Sequence, residues 1–242
     1  MSGHSKWNNI KRKKEKTDAA RAKIFTKIGK EMAVAIRAGG PNPASNSKLR
    51  ELIAKAKANN VPNDNIDRAI KKFRDSDVVY EEITYEGYGP GGVAVIVETT
   101  TDNRNRTAGN VRSYFNKYHG NMGTSGCVSF LFEDKGVLIV NNEDGDIEED
   151  TLMETALESG AEDFAAGDGV FEIYTVVEDL YAVKEALEGA GYPVISAEKD
   201  KIASTSVTLS DADDLKFMGL LVEMLEEDDD VMNVYHNWEN CD

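Results

Sequence analysis

The fold is decided by residues 136–203, which read GVLIVNNEDGDIEEDTLMETALESGAEDFAAGDGVFEIYTVVEDLYAVKEALEGAGYPVISAEKDKIA. Short apolar and β-branched runs alternate here with two amphipathic stretches, 148–160 and 179–191, and each of these stretches ends at a glycine. Such an alternation predicts strands separated by helices. The order is strand, helix, strand, strand, helix, strand, which is the ferredoxin-like βαββαβ arrangement. We therefore predict a ferredoxin-like domain over residues 136–203.

Incomplete sheet-and-helix patterns flank this segment on both sides. Residues 77–135 show two β-rich runs around a glycine cluster, a helical stretch, and a further strand, CVSFLFE, at 127–133. Residues 204–242 show a strand, TSVTLS, at 205–210, followed by a helix and a last strand. Since neither flank is complete alone, we predict one discontinuous α+β domain, 77–135 plus 204–242, into which the ferredoxin-like domain is inserted.

The N-terminal quarter has a different pattern. Residues 17–76 contain three stretches with apolar residues at helical spacing, separated by Gly39-Gly40-Pro41 and by Asn59-Asn60-Val61-Pro62. This predicts a three-helix bundle, preceded by a flexible basic arm over residues 1–16. The second and third helices also fit a helix-turn-helix with Asn65, Arg68 and Lys72 on its reading face, although ordinary bundles share this pattern. The predicted fold class is α+β with three domains.

Charge is distributed unevenly along the chain. The protein has 242 residues and a formal net charge of −16. Residues 1–75 nevertheless contain 19 Lys and Arg against 7 Asp and Glu, whereas the remainder contains 9 against 37. An asymmetry of this size indicates a basic module for a polyanion attached to an acidic body. It favours nucleic acid as the partner over an anionic membrane surface.

The basic arm is the first candidate for nucleic-acid contact. Its sequence, MSGHSKWNNIKRKKEK, has six Lys or Arg among sixteen residues. Such a run neutralises several phosphates and gains from counterion release, and a tryptophan can stack on a base. A solvated tail is the alternative interpretation. The candidate residues are Lys6, Trp7, Lys11, Arg12, Lys13, Lys14 and Lys16.

Lysines of the first predicted helix extend this charge. Lys23, Lys27 and Lys30 are spaced i, i+4 and i+7, so they lie on one helical face. We include Lys23 and Lys27 among the candidates, although any bundle has a charged outer face. The run EEDDD at 226–230 is expected to be a solvated turn after a helix.

A second basic island lies inside the acidic body. Residues 103–132 contain no Asp or Glu, but they contain Arg104, Arg106, Arg112 and Lys117. Arg104 and Arg106 precede a predicted helix, so they can reach outward together with its N-terminal amides, an arrangement that favours phosphate. The alternative is that these side chains pair with the protein's own acids.

Enzyme and cofactor signals are weak. The stretch GYGPGG at 87–92 matches G-x-G-x-x-G, but it continues into a strand rather than a helix, so we predict a turn between strands. NNEDGDIEED at 141–150 lacks the ligand spacing of an EF-hand loop. The three histidines have no zinc-site spacing, and no nucleophile-elbow motif is present. We expect no enzyme, no cofactor and no metal.

Cysteine content and the distribution of apolar residues predict the cellular compartment of the protein. Two cysteines, Cys127 and Cys241, do not form a disulfide framework. No run approaches the roughly 20 apolar residues of a membrane span, and the start is not that of a signal peptide. We expect a cytoplasmic protein without a membrane partner.

Three stretches resemble a known family. GHSKWNNIKRKK at 3–14, VPNDNIDRAIKK at 61–72 and YEGYGPGGVAVIVETTTDNRNRTAGNVRSYFNKYHG at 85–120 closely resemble the YebC/PmpR family. The resemblance covers essentially the whole chain and implies a helical bundle followed by two α+β domains, one inserted in the other. It implies no enzymatic activity and no cofactor. Carried over to this sequence, it points to the residues from Lys6 to Lys16 and to Arg104 and Arg106.

The resemblance leaves two functions open. The family is customarily described as transcriptional regulators that bind promoter DNA, whereas other members, including a mitochondrial relative, are similar to translational activators acting at the ribosome. We therefore expect a DNA-binding transcriptional regulator, with a ribosome-associated factor that contacts ribosomal RNA as the alternative. A small-molecule-binding or catalytic protein that uses the ferredoxin-like domain is a remote third possibility. The oligomeric state stays open.

Overall fold

Three helices begin the part of the chain that the computed structural model describes, which comprises residues 18–167 and 169–240, with side chains from residue 23 onward. They are α1 (Asp18–Gly39), α2 (Ser47–Ala58) and α3 (Asn63–Arg74). Their apolar faces form one core, whose buried members are Ile28, Met32, Ala35, Ile36, Leu49, Leu52, Ala56 and Ile66. Asn46 joins the first two helices, because its amide nitrogen donates to the carbonyl oxygens of Ala35 and Gly40 while its Oδ1 caps α2.

The first sheet has four antiparallel strands in the order β3-β1-β2-β8. These are β1 (Glu81–Tyr88), β2 (Ala94–Thr101), β3 (Asn121–Met122) and β8 (Val231–His236). Two helices, α4 (Arg104–Lys117) and α7 (Ala212–Glu227), contact this sheet and each other. The chain returns to this sheet after a long excursion, since β8 pairs with β2.

The second sheet is also antiparallel, with the strand order β5-β6-β4-β7. Its strands are β4 (Phe132–Asn141), β5 (Asp163–Gly167), β6 (Val170–Thr175) and β7 (Val194–Ala203). Helices α5 (Glu149–Glu158) and α6 (Leu180–Gly189) pack on one face, against Leu138, Val140, Phe171 and Ile173. The alternate residues Val137, Ile139, Val170 and Tyr174 form a second buried cluster, as the two-residue period of strands requires. This is the predicted ferredoxin-like arrangement.

The described residues form two compact units. One contains residues 18–129 and 209–236, and therefore both the helical bundle and the first sheet. The other contains residues 130–208 and 237–240, with the second sheet. The α+β fold class is confirmed. The finer boundaries of a separate bundle domain, a discontinuous domain and an inserted domain stay a prediction.

Two predicted strands are wrong. TSVTLS contributes a single bridge, from Val207 to Trp238, instead of a strand. CVSFLFE does not become extended until Phe132, because the buried Glu86 carboxylate accepts hydrogen bonds from the amides of Val128 and Ser129 and so removes donors that a strand ladder needs. Residues 129–131 form a 3₁₀ turn instead.

The glycine cluster is a turn between strands, as predicted. It joins antiparallel β1 and β2 through a 3₁₀ turn at Pro90–Gly92, and no helix follows it. Gly91 and Gly92 have φ values of 64° and 79°, which favour glycine. Within the described ranges, no helix is both long and apolar enough to cross a membrane.

Candidate nucleic-acid interface

The basic arm lies outside the described residues. This applies to seven candidates from the sequence, namely Lys6, Trp7, Lys11, Arg12, Lys13, Lys14 and Lys16. The remaining candidates are all in the unit that holds the bundle and the first sheet. Some of them bind carboxylates or carbonyl oxygens of the protein itself, and the others make no ion pair within the described residues.

The lysines of α1 bind the C-terminal end of α7. Lys23 donates to the carbonyl oxygen of Glu227 and forms an ion pair with its carboxylate at 3.4 Å. Lys27 donates to the carbonyl oxygen of Glu226 at 2.7 Å, and Lys30 to that of Asp229 at 2.8 Å. The last carbonyls of a helix lack partners within the helix, and its dipole places partial negative charge there. The i, i+4, i+7 spacing therefore matches one helix end rather than an open surface.

Asp230 is the centre of this contact. Its side chain is only 5 % exposed, and its carboxylate accepts from Lys30 Nζ at 2.6 Å and from Arg106 at 2.7 Å. The hydroxyl groups of Thr101 and Thr107 donate to the same carboxylate at 3.2 and 2.8 Å. Burial alone would raise the pKa of Asp230, but the hydrogen bonds from Lys30, Arg106 and Thr107 lower this pKa to about 2. One carboxylate thus joins α1, α4 and the end of β2.

The prediction of a solvated turn at 226–230 is therefore wrong. Asp230 is buried, and Asp228 accepts hydrogen bonds from Asn110 and from the Tyr114 hydroxyl. Burial and the neighbouring Asp228 carboxylate raise the pKa of Tyr114 to about 12. Composition could not separate a solvated acidic run from one that binds lysines of a distant helix. The regular spacing of those lysines was the available signal.

The four basic residues of α4 have different environments. Arg106 pairs with Asp102 at 2.8 Å as well as with Asp230, and these hydrogen bonds raise the pKa of its guanidinium. Arg104 and Arg112 are exposed, and neither forms an ion pair with a carboxylate of the described chain. Lys117 is also exposed, with its Nζ 5.1 Å from the centre of the Tyr118 ring. The alternative of internal pairing thus applies to Arg106.

Tyr85 on β1 lies within electrostatic reach of Arg104, Asp230 and Arg112. Burial raises the pKa of the Tyr85 hydroxyl, while the positive charges of Arg104 and Arg112 oppose this rise, so both guanidinium groups lie within electrostatic reach of it. The hydroxyl oxygen is buried and has no hydrogen-bond partner among the described residues. At the start of α4, Asn103 caps the helix by accepting from the Arg106 amide. Arg104 therefore stands in the first turn, where the helix dipole favours anions.

The bundle carries further exposed cations, of which the sequence singled out only Arg68 and Lys72, as residues of a helix-turn-helix reading face. On α2 and α3, six exposed basic side chains make no ion pair with any residue of the described ranges. They are Lys48, Arg50, Lys57, Arg68, Lys71 and Lys72. For the other four, the available signal was the count of 19 basic against 7 acidic residues among the first 75.

One cavity of this unit has side chains of both charges in its lining. About 480 Å³ in volume, it is lined by Lys23, Lys30 and Arg106 together with Asp102 and the acidic turn at 227–230. Since acids and bases line it together, its charge does not select an anion. No group of three or more His, Cys, Asp or Glu residues in the described ranges is arranged to hold a metal ion.

Comparisons with known proteins identify the family. Residues 5–76 match the profile of the TACO1/YebC protein N-terminal domain, and residues 80–238 match that of the TACO1/YebC second and third domain. The chain belongs to the TACO1/YebC family. Together the two matches cover nearly the whole chain, so the resemblance predicted from three stretches of sequence is confirmed.

Relatives match this chain over nearly their whole length. A probable transcriptional regulatory protein of Acetivibrio thermocellus is 57 % identical over 240 residues, which are 98 % of this chain and 99 % of the relative. One of Ruminiclostridium cellulolyticum, with the same description, is 57 % identical over 241 residues, 99 % of this chain and 97 % of the relative. The crystal structure of a conserved hypothetical protein of Aquifex aeolicus superimposes with a TM-score of 0.82 at 48 % identity, covering 93 % of this chain and 92 % of that one.

Proposed function

We propose that this TACO1/YebC family member is a non-enzymatic regulator of gene expression that binds nucleic acid, and specifically a DNA-binding transcriptional regulator. The descriptions of its relatives support regulation of transcription. The proposal places the protein in the cytoplasm, with its nucleic-acid partner.

The observation that carries the proposal is the set of exposed cations without acidic partners. The protein has a net charge of −16 and 44 acidic residues, enough to pair every lysine and arginine. Yet Arg104 and Arg112 on α4, and six basic residues of α2 and α3, stay exposed and unpaired with any described carboxylate. Exposed cations without acidic partners can bind the phosphates of a nucleic-acid backbone. The acidic remainder of the chain repels phosphate, so it disfavours binding of the nucleic acid to other surfaces.

The experiment is a salt-dependent binding titration on α4. Labelled DNA and RNA of about 20 nucleotides are titrated with the wild-type protein and with the variant R104Q/R112Q/K117Q between about 50 and 200 mM salt. Each lost phosphate contact lowers the slope of log affinity against log salt by about 0.7 to 0.9. We expect the triple variant to lose about two units of slope.

A control comes from the unit that holds the second sheet. Lys184 on α6 is paired with Glu188, and Lys135 on β4 is paired with Glu162. The variant K135Q/K184Q therefore removes two cations that already have acidic partners, and its slope should equal that of the wild type. An unchanged slope in the α4 variant would remove this helix from the interface.

RNA is the second candidate target, with the ribosome as its source. The exposed cations lie on three separate helices, in addition to the basic arm, which suits many phosphate contacts and little base readout. A DNA regulator should instead discriminate promoter from random duplex by at least about 10³-fold. Equal affinity for random DNA and single-stranded RNA would favour the translational alternative.

A further inference from the structure

The helical bundle has an apolar core of its own. The buried members of this core, and the partly buried apolar side chains packed against them, all come from residues 24–73. The first sheet, which belongs to the same compact unit, contributes none of these side chains. This core therefore stabilises the bundle itself and does not attach it to the sheet.

The attachment of the bundle to the end of α7 is polar. Lys23, Lys27 and Lys30 donate to carbonyl oxygens within residues 226–229. Lys23 also pairs with the Glu227 carboxylate at 3.4 Å, and that carboxylate side chain is 67 % exposed. Dissolved salt screens interactions between charges that water can reach. High salt should therefore weaken this attachment, whereas it would not weaken an apolar one.

Asp230 stays compensated when the bundle separates from it. Arg106, Thr101 and Thr107, which donate to its carboxylate, belong to α4 and to β2. Among the described donors to this carboxylate, only Lys30 comes from the bundle. Separation would therefore leave Asp230 with one cation and two hydroxyl donors, instead of leaving a buried charge without a partner.

Cavities lie along the junction of the bundle with the first sheet. One, of about 480 Å³, is lined by lysines of α1 together with Arg106 and the acidic turn at 227–230. Another, of about 310 Å³, is lined by residues of α1 and α2 together with Glu82 of β1. Protein interiors contain few voids larger than a water molecule, so this junction is packed less tightly than a core. Surfaces with such gaps lose little dispersion attraction when they separate.

An exposed segment joins the bundle to the first sheet. Residues 75–80 connect α3 to β1 and form neither helix nor strand, and their two valines are 47 and 48 % exposed. The contacts described for this segment are local, such as the hydrogen bond from the Val78 amide to the Ser76 hydroxyl and the edge-to-face contact of Tyr80 with Phe73. A segment held by local contacts can absorb a change in backbone dihedrals.

We propose that the bundle is a hinged module, which turns away from the first sheet about residues 75–80 and is held closed by the contact of the α1 lysines with the end of α7. A polar, loosely packed junction and an exposed connecting segment are features of domains that move relative to each other. Opening exposes the three lysines to water, so an anion that binds them favours the open form. The hinge does not depend on the proposed function.

The test measures the distance between the bundle and α4 by single-molecule energy transfer. Dyes are attached at two exposed positions, in A54C on α2 and S113C on α4, in a protein whose two native cysteines are replaced by serine. We expect one short distance at about 50 mM salt and a second, longer distance at about 1 M, where the Debye length is about 3 Å. K23Q/K27Q/K30Q should show the longer distance at about 50 mM, with the ratio of open to closed molecules raised at least about tenfold.

The control removes the same charge from elsewhere on the bundle. R50Q/K71Q/K72Q neutralises three exposed side chains that make no ion pair within the described residues, so it should stay closed at about 50 mM salt. Far-ultraviolet circular dichroism should show the helix content of the wild type in both variants.

Three results would overturn the hinge. The first is the short distance alone in K23Q/K27Q/K30Q at both salt concentrations, since the α1 lysines would then not hold the bundle. The second is equal opening in the control variant, because loss of charge from any part of the bundle would then suffice. The third is loss of helix content together with the longer distance, because the bundle would then unfold instead of turning away.

Discussion

At the scale of single residues, Asp230 has the most consequence for the structure. It is a buried carboxylate with four donors, two of them charged, and these donors come from α1, α4 and β2. Removing one member of a buried ion pair leaves the other charges without compensation, which costs more than the pair's own net contribution. Asp230 should therefore be far more sensitive to substitution than its neighbours in the same acidic run.

We expect D230N to lower the free energy of unfolding by about 3 kcal/mol, because Lys30 loses its buried carboxylate and Arg106 loses one of its two. The measurement is urea denaturation at neutral pH. The control is D229N one residue earlier, where the side chain is exposed and Lys30 bonds only to the backbone carbonyl. Equal stability of the two variants would contradict the role of Asp230.

The same carboxylate predicts how stability depends on pH. Its pKa in the folded protein is about 2, below the ordinary 3.8. The stabilisation is therefore complete above about pH 4 and is lost as the pH falls from about 4 toward 2. In urea titrations at several pH values, the difference between the wild type and D230N should shrink over this window. A constant difference would show that the charge of Asp230 does not contribute.

At the scale of elements, the lysines of α1 and two arginines of α4 have different environments. Lys23, Lys27 and Lys30 bind the end of α7, whereas Arg104 and Arg112 have no described acidic partner. Sequence spacing placed Lys23, Lys27 and Lys30 on one helical face. It could not reveal which face meets the acidic turn, because that turn lies about 200 residues away along the chain.

This difference predicts two separable phenotypes. K23Q/K27Q/K30Q should lower the free energy of unfolding by about 2 to 4 kcal/mol, since it removes the contacts to the end of α7 and one partner of Asp230. R104Q/R112Q/K117Q should leave stability within about 0.5 kcal/mol while weakening binding. Urea denaturation and salt titration on both variants measure the two effects. If the α1 variant instead lost binding and the α4 variant lost stability, phosphate contact would be assigned to α1.

The sequence-based account succeeded where the signal was local. Strand and helix alternation predicted the ferredoxin-like unit, and the strand after GYGPGG predicted the turn that joins β1 and β2. It failed at residues 127–131, where a single buried glutamate takes the backbone donors, and at Asp230, whose partners are distant in sequence. In both places a long-range contact overrides local composition.

At the scale of the whole molecule, charge is segregated along the chain. Residues 1–75 have twelve more basic than acidic residues, while the remainder has 28 more acidic than basic residues. The acidic remainder should repel a polyanion except at basic surfaces such as α4, so charge would orient the bound nucleic acid as well as attract it.

The arm should supply the most salt-sensitive part of binding. Neutralising it in K11Q/R12Q/K13Q/K14Q removes four cations, so the salt slope should fall by about 3 and affinity should fall at low salt. The measurement is the same titration used for α4. An unchanged slope would remove the arm from the mechanism.

The most direct test of the central claim, that this protein regulates gene expression by binding nucleic acid, is ultraviolet crosslinking in cells followed by sequencing of all recovered nucleic acid. Our account predicts discrete enrichment over a crosslinked control protein: at promoter DNA for the proposed transcriptional regulator, or in ribosomal RNA for the translational alternative. Recovery of neither above the control level would contradict the account.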